Sequence, residues 1–165
     1  TPSAASEVVD MTTPERGEMR TRADRDLRFG KPADALTLYQ QLVAVDSQDR
    51  ASRMGVANAL AALGRVDEAL AELSAIGEEW PEFPFAAIRR GALLEEQGDQ
   101  AGALAAYRES VRIAPDNADT HFTLAYALRR AGLAAEAISA FEAGLAIEPD
   151  RESARQALDA LRTGQ

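Results

Sequence analysis

Residues 84–117 read PFAAIRRGALLEEQGDQAGALAAYRESVRIAPDN and residues 118–151 read ADTHFTLAYALRRAGLAAEAISAFEAGLAIEPDR, two blocks of 34 residues that align without a gap. Glycine stands near the middle of each block (Gly98, Gly132), with alanine five residues later (Ala103, Ala137). An aromatic residue follows four residues after the alanine (Tyr107, Phe141), and proline closes each block (Pro115, Pro149). Carried backwards, the same frame meets Gly64, Ala69, Leu73 and Pro81, then Gly30, Ala35 and Tyr39, so the period holds through four repeats.

A unit of this length with glycine at its middle and proline at its end is two helices of about three to four turns joined by short turns. The glycine takes the left-handed conformation that ends the first helix without a side-chain clash. The alanine lets the second helix approach the first, and the large residue one turn on fills the space between hairpins. Proline stops the second helix, having no N–H to donate and restricting the residue before it. The repeats therefore run 16–49, 50–83, 84–117 and 118–151. Residues 152–162 carry Ala154, Ala157, Leu158 and Leu161 at helical spacing with charges opposite, which predicts a capping helix and a natural end to the stack. Residues 1–15, with two prolines and no helical periodicity, are expected to form a disordered tail, whose Val8, Val9 and Met11 are candidates to occupy the chain's own groove.

Composition narrows the function classes. A chain of 165 residues with 46% apolar content supports one domain, and 5% aromatic content with abundant alanine suits helices more than strands. Acids outnumber bases 27 to 18, a net charge of −9 that argues against nucleic acid and anionic membranes as partners. No stretch approaches the roughly 20 apolar residues of a membrane-spanning helix. With no cysteine and His121 the lone histidine, zinc clusters and thiol nucleophiles have no residues to build them, and no metal or cofactor is expected. Neither a Gly-x-Ser-x-Gly turn nor a glycine-rich phosphate loop occurs, and the adjacent pairs Glu78–Glu79 and Glu95–Glu96 diverge around their helices. No catalytic residue is expected.

The glycine, alanine, aromatic and proline columns over residues 16–162 resemble the tetratricopeptide repeat family. The resemblance implies an all-α, right-handed α-solenoid of four helical hairpins with a capping helix, whose first helices line a concave groove that receives a partner peptide. Departures stand where a first helix usually has bulky apolar residues (Arg22, Arg90) and where tryptophan is typical (Arg53, Ala87, His121). Repeat 1 is the least typical, with Arg16, Arg20, Arg22, Arg25, Arg28 and Lys31 crowded together, and its first helix is expected to fray.

Helical spacing places Arg20, Asp24, Met54, Asn58, Phe85, Ile88, Arg89, Phe122, Thr123 and Tyr126 on the groove side of the first helices. Met54, Ile88 and Phe122 share one column, and Phe122 and Tyr126 are the best-placed anchors, a reading under which Phe122→Ala costs on the order of 2 kcal/mol of affinity. The co-chaperone members of the family hold a carboxylate with lysine, asparagine and arginine. Asn58 and Arg89 match two such places, but the groove has no lysine and Asp119 stands where positive charge is needed, so a chaperone-tail receptor is not expected. The expected function is an adaptor or scaffold for a protein or peptide partner. The alternatives are a structural subunit that self-associates or uses its convex face, and a regulatory module of a larger complex. One lysine against 17 arginines hints at a GC-rich bacterial source, and the polar leading segment is similar to mature envelope proteins, which favours an exported, periplasmic setting over the cytoplasm.

Overall fold

The protein is described by a computed structural model over residues 12–164. Among the described residues there are nine helices and no strand. They are α1 (Thr13–Arg28), α2 (Pro32–Val45), α3 (Arg50–Ala62), α4 (Val66–Glu79), α5 (Pro84–Glu96), α6 (Gln100–Ile113), α7 (Ala118–Arg130), α8 (Ala134–Ile147) and α9 (Glu152–Thr163). The fold is of the all-α helical-solenoid class, and the chain divides into two compact units, one up to Ile76 and one from Gly77.

The repeat columns have the physical roles their spacing requires. Gly30, Gly64, Gly98 and Gly132 all lie in the left-handed region, with φ between 74° and 80°. The amide after each glycine donates to a carbonyl five residues back, as Arg65 N does to Leu60 O at 2.9 Å, so four of the five left-handed glycines close Schellman turns of one design. A methyl at Gly64 would meet nothing within 4 Å, so Gly64→Ala is expected to cost about 1 kcal/mol through backbone strain alone, read by urea denaturation. Beyond the turns, Ala35, Ala69, Ala103 and Ala137 are buried, as are Tyr39, Leu73, Tyr107 and Phe141.

In the N-terminal unit α1 pairs with α2 and α2 with α3. Leu42, Leu73 and Ile76 are fully buried there. In the C-terminal unit α5 pairs with α6 and α7 with α8, α6 packs on α7, and α9 lies on α8. Helix α9 buries Ala154, Ala157 and Leu158, and Arg162 reaches Glu142 of α8 at 2.8 Å.

Helices α3, α5, α7 and α9 start at residues 50, 84, 118 and 152, in step with the repeat frame. The first repeat starts earlier than its frame. Of the segment read as a tail, Thr12 to Glu15 form a capping box: the Thr12 hydroxyl accepts from the Glu15 amide while the Glu15 carboxylate accepts from the Thr12 amide at 2.7 Å. Pro14 is in the first turn, where no intrahelical N–H is needed, so it supports this helix where it would break another. Helix α1 is continuous through its arginines to Arg28. Val8, Val9 and Met11 lie outside the described residues.

Candidate functional site

The first-helix face of the N-terminal unit is built on α1 and α3. Tyr39, from α2, lays its ring against Gly55 of α3, where a methyl would stand 2.4 Å from ring carbon Cε1. Its hydroxyl donates to Asp24 Oδ1 of α1 at 2.5 Å. Burial, and then the Asp24 carboxylate, hold the Tyr39 hydroxyl well above the ordinary tyrosine range, so it remains a donor. Around this pair a depression of about 390 Å³ is lined by Asp24, Leu27, Arg28, Met54 and Asn58 among others. Three expected groove residues, Asp24, Met54 and Asn58, thus meet in one place.

Arg20 does not join them. Its guanidinium donates to Asp49 Oδ2 at 2.5 Å and to the buried Ser52 hydroxyl at 3.4 Å. Asp49 caps α3 by accepting from the Ser52 amide at 3.2 Å and from its hydroxyl at 2.6 Å. Burial pushes the Asp49 carboxyl up, but Ser52 and Arg20 outweigh it and hold the group below the usual carboxylate range. Arg20 is a tie between α1 and α3 and is not free for a ligand.

In the C-terminal unit the expected residues separate. Phe122 is 4% exposed, which corrects its assignment as a groove anchor. Its ring fills the space that Gly144 of α8 leaves, where a methyl would stand 2.5 Å from Cε1, and the Arg151 guanidinium covers it at 5.1 Å from the centroid. Tyr126 is half-buried, edge-on to Phe141 at 4.9 Å, with Arg129 over its ring at 5.2 Å. Ile88 packs against the same core, and Thr123 is half-buried. Arg89 pairs with Glu96 at 3.6 Å. Phe85 is the outward aromatic, 46% exposed, its ring 5.3 Å from that of Phe83.

Two of the departures from the usual repeat pattern, Arg53 and Arg90, are paired across their hairpins. Arg53 donates to Glu72 at 2.7 Å and Arg90 to Glu109, both reaching from first to second helix of their own hairpin. His121 meets the Pro115 carbonyl at 2.7 Å. Ala87 is buried, so the smaller residue closes the hairpin where tryptophan would stand.

Glu95 joins three helices. It accepts two bonds from Arg130, at 2.7 and 2.8 Å, and one from the Tyr107 hydroxyl at 3.2 Å. Hydrogen bonding from Arg130 holds the Glu95 carboxyl below its ordinary 4.5, whereas burial followed by the Glu95 charge pushes the Tyr107 hydroxyl up to about 12. A lowered carboxyl stabilises the fold above its unfolded pKa, and that stabilisation is lost as pH falls through the folded one. Glu95→Gln is therefore expected to flatten the decline in urea-unfolding stability as pH falls below about 5, and an unchanged slope would remove Glu95 from the acid response.

Hairpins repeated in this way, each burying an alanine and a large residue between its helices, define a helical-repeat solenoid. Three family models match it: Tetratricopeptide repeat over residues 20–84, TPR repeat over 91–132 and Tetratricopeptide repeat over 118–151. The chain belongs to the tetratricopeptide repeat family. Its general role is accordingly that of a protein-interaction scaffold.

Among solved structures, TTC0263, a thermophilic TPR protein of Thermus thermophilus, superposes with a TM-score of 0.73 at 20% identity, covering 92% of this chain and 84% of that one. MamA from Desulfovibrio magneticus RS-1 gives 0.66 at 23% identity, covering 90% and 84%. Likeness at these identities shows a shared fold. Cellulose synthase operon protein C of Pseudomonas fluorescens (strain SBW25) is 30% identical over 129 residues, 73% of this chain and 10% of its own length, so the chain spans about a tenth of that relative. Among the described residues no helix is long and apolar enough to cross a membrane, and no group of three or more His, Cys, Asp or Glu is placed to hold a metal ion.

Proposed function

We propose that the protein is a binding adaptor that receives a segment of a partner protein on its first-helix faces, without catalysing a reaction. The observation that carries this reading is the depression between α1 and α3, where Asp24, Met54 and Asn58 converge beside the Tyr39 hydroxyl. Leu27 and Met54 suit an apolar side chain, and Asp24 and Asn58 suit the amides of the segment that carries it. In the C-terminal unit Phe85, with Ile88, Arg89, Thr123 and Tyr126 on the first-helix faces, offers a second set of contacts.

Affinity capture from lysate of the source organism, read by mass spectrometry, tests this with wild type and Met54→Arg. A cation in the depression is expected to remove a specific set of proteins, corresponding to about 2 kcal/mol or a thirtyfold loss, with helix content unchanged by circular dichroism. Identical captured sets would contradict the reading. The likeness to a short part of the cellulose synthase operon protein supports a second reading, in which the hairpins are one module of a larger assembly. Co-purification of the native gene product in a complex of fixed composition would favour it.

A further inference from the structure

We infer that the outer face of α1 is a second docking surface, built for an acidic, apolar segment of a partner protein. A groove of about 860 Å³ runs along α1 with Met19 and Leu38 as its apolar part. Glu15 and Glu18 line one end, and Arg22 and Arg25 the other. Past the basic end, Phe29 is 72% exposed, the most exposed of the large apolar residues described, with Arg28 and Lys31 on either side.

The cations here are not used up internally. Arg22 is 65% exposed and reaches only Asp26, at 3.8 Å, while among the described residues Arg25, Arg28 and Lys31 have no carboxylate partner. That is unusual in a chain with nine more acids than bases, in which Arg20, Arg53, Arg65, Arg90, Arg108 and Arg130 all hold carboxylates. One cation in the last turn would satisfy the helix dipole, and the further cations at Arg22, Arg25 and Lys31 exceed that need. Arg22, Arg25 and Phe29 recur every three to four residues and so share one side of α1, a different side from Arg20 and Asp24.

Charge complementarity selects the occupant. Carboxylates of a partner would meet Arg22, Arg25 and Lys31, and apolar side chains would lie on Met19, Leu38 and Phe29. A bilayer fits less well: the groove's other end carries Glu15 and Glu18, and a net charge of −9 repels an anionic surface.

The test uses the full chain and a helical peptide of about 14 residues with leucines on one face and glutamates on the other, beside a lysine-for-glutamate counterpart. The glutamate peptide is expected to bind at least about tenfold more tightly than the lysine peptide, with affinity falling as salt rises. Arg22→Glu with Arg25→Glu is expected to weaken it by about tenfold or more with unchanged circular dichroism, and Arg22→Gln with Arg25→Gln by less. Phe29→Ala should also weaken it, by at least about threefold. Equal binding of the two peptides, or of wild type and reversal variant, would overturn the proposal. So would uptake of phosphatidylglycerol vesicles in place of peptide, or a dimer in sedimentation that the reversal abolishes. Tighter peptide binding after deletion of residues 1–11 would assign the face to the chain's own Glu7-Val8-Val9-Asp10-Met11 and overturn the partner reading as well. Because Met54 is not on this face, Met54→Arg should leave peptide affinity unchanged, which separates this proposal from the first.

Discussion

Phe122→Ala is expected to lower the stability of the protein by about 3 to 5 kcal/mol, the cost of emptying a phenyl-sized site in a packed core. The side chain is almost fully buried, its ring rests on Gly144, and Arg151 closes the far side. Truncation removes the apolar burial, leaves a cavity that the glycine cannot fill, and takes the aromatic face from Arg151. Arg151 keeps its bonds to Glu148 at 2.7 Å and Asp119 at 2.8 Å, so the loss belongs to packing and not to an unpaired charge. In thermal denaturation this corresponds to a fall in melting temperature on the order of 10 °C. A change below about 1 kcal/mol would mean that the ring is solvated and that Phe122 belongs to the groove after all.

Gly55→Ala is the second large effect, and its sign opposes helix propensity. Alanine in the middle of a helix ordinarily gains about 0.5 to 1 kcal/mol over glycine. Here the added methyl would stand 2.4 Å from Cε1 and 2.5 Å from Cδ1 of Tyr39. The ring is 2% exposed and its hydroxyl is held by Asp24, so it cannot retreat without breaking that bond. Overpacking of this kind costs about 1 to 3 kcal/mol, and the net effect is destabilising. Chemical denaturation reads the stability, and the depression around Asp24, Met54 and Asn58 should be perturbed with it. A stabilised Gly55→Ala would show that Tyr39 has room to move.

Much of the fold was legible in the sequence because the repeat columns are dictated by local chemistry. A left-handed turn demands glycine and a close helix crossing demands alanine, so the four glycines and four alanines locate the inner turn and the helix crossing of every hairpin. The start of α1 is the exception, for an equally local reason. Thr12-Thr13-Pro14-Glu15 is a helix-start signature, yet a proline among small polar residues also reads as a tail, and only its place in a first turn separates the two.

The site was less legible. Helical spacing says which residues share a side, not what covers that side. Met54, Ile88 and Phe122 occupy one column, yet Met54 lines a depression, Ile88 lies half-buried and Phe122 is covered by Arg151, which comes 29 residues later. The Tyr39–Asp24 bond spans 15 residues and has no local signature. Gly55, a small residue facing a ring, was the available clue. Arg53–Glu72 and Arg90–Glu109 both lie 19 residues apart, the spacing that faces the two helices of one hairpin, and a search for opposite charges at that offset would have explained these two of the five departures from the family pattern.

The central claim, that partner contact falls on Met54 and not on Phe122, is tested most directly by titrating one captured partner against both variants below their melting temperatures. Met54→Arg should lose about thirtyfold in affinity while keeping its melting temperature, and Phe122→Ala should keep its affinity within about threefold while melting much earlier. The reverse pattern, affinity lost at Phe122 and retained at Met54, would contradict the account.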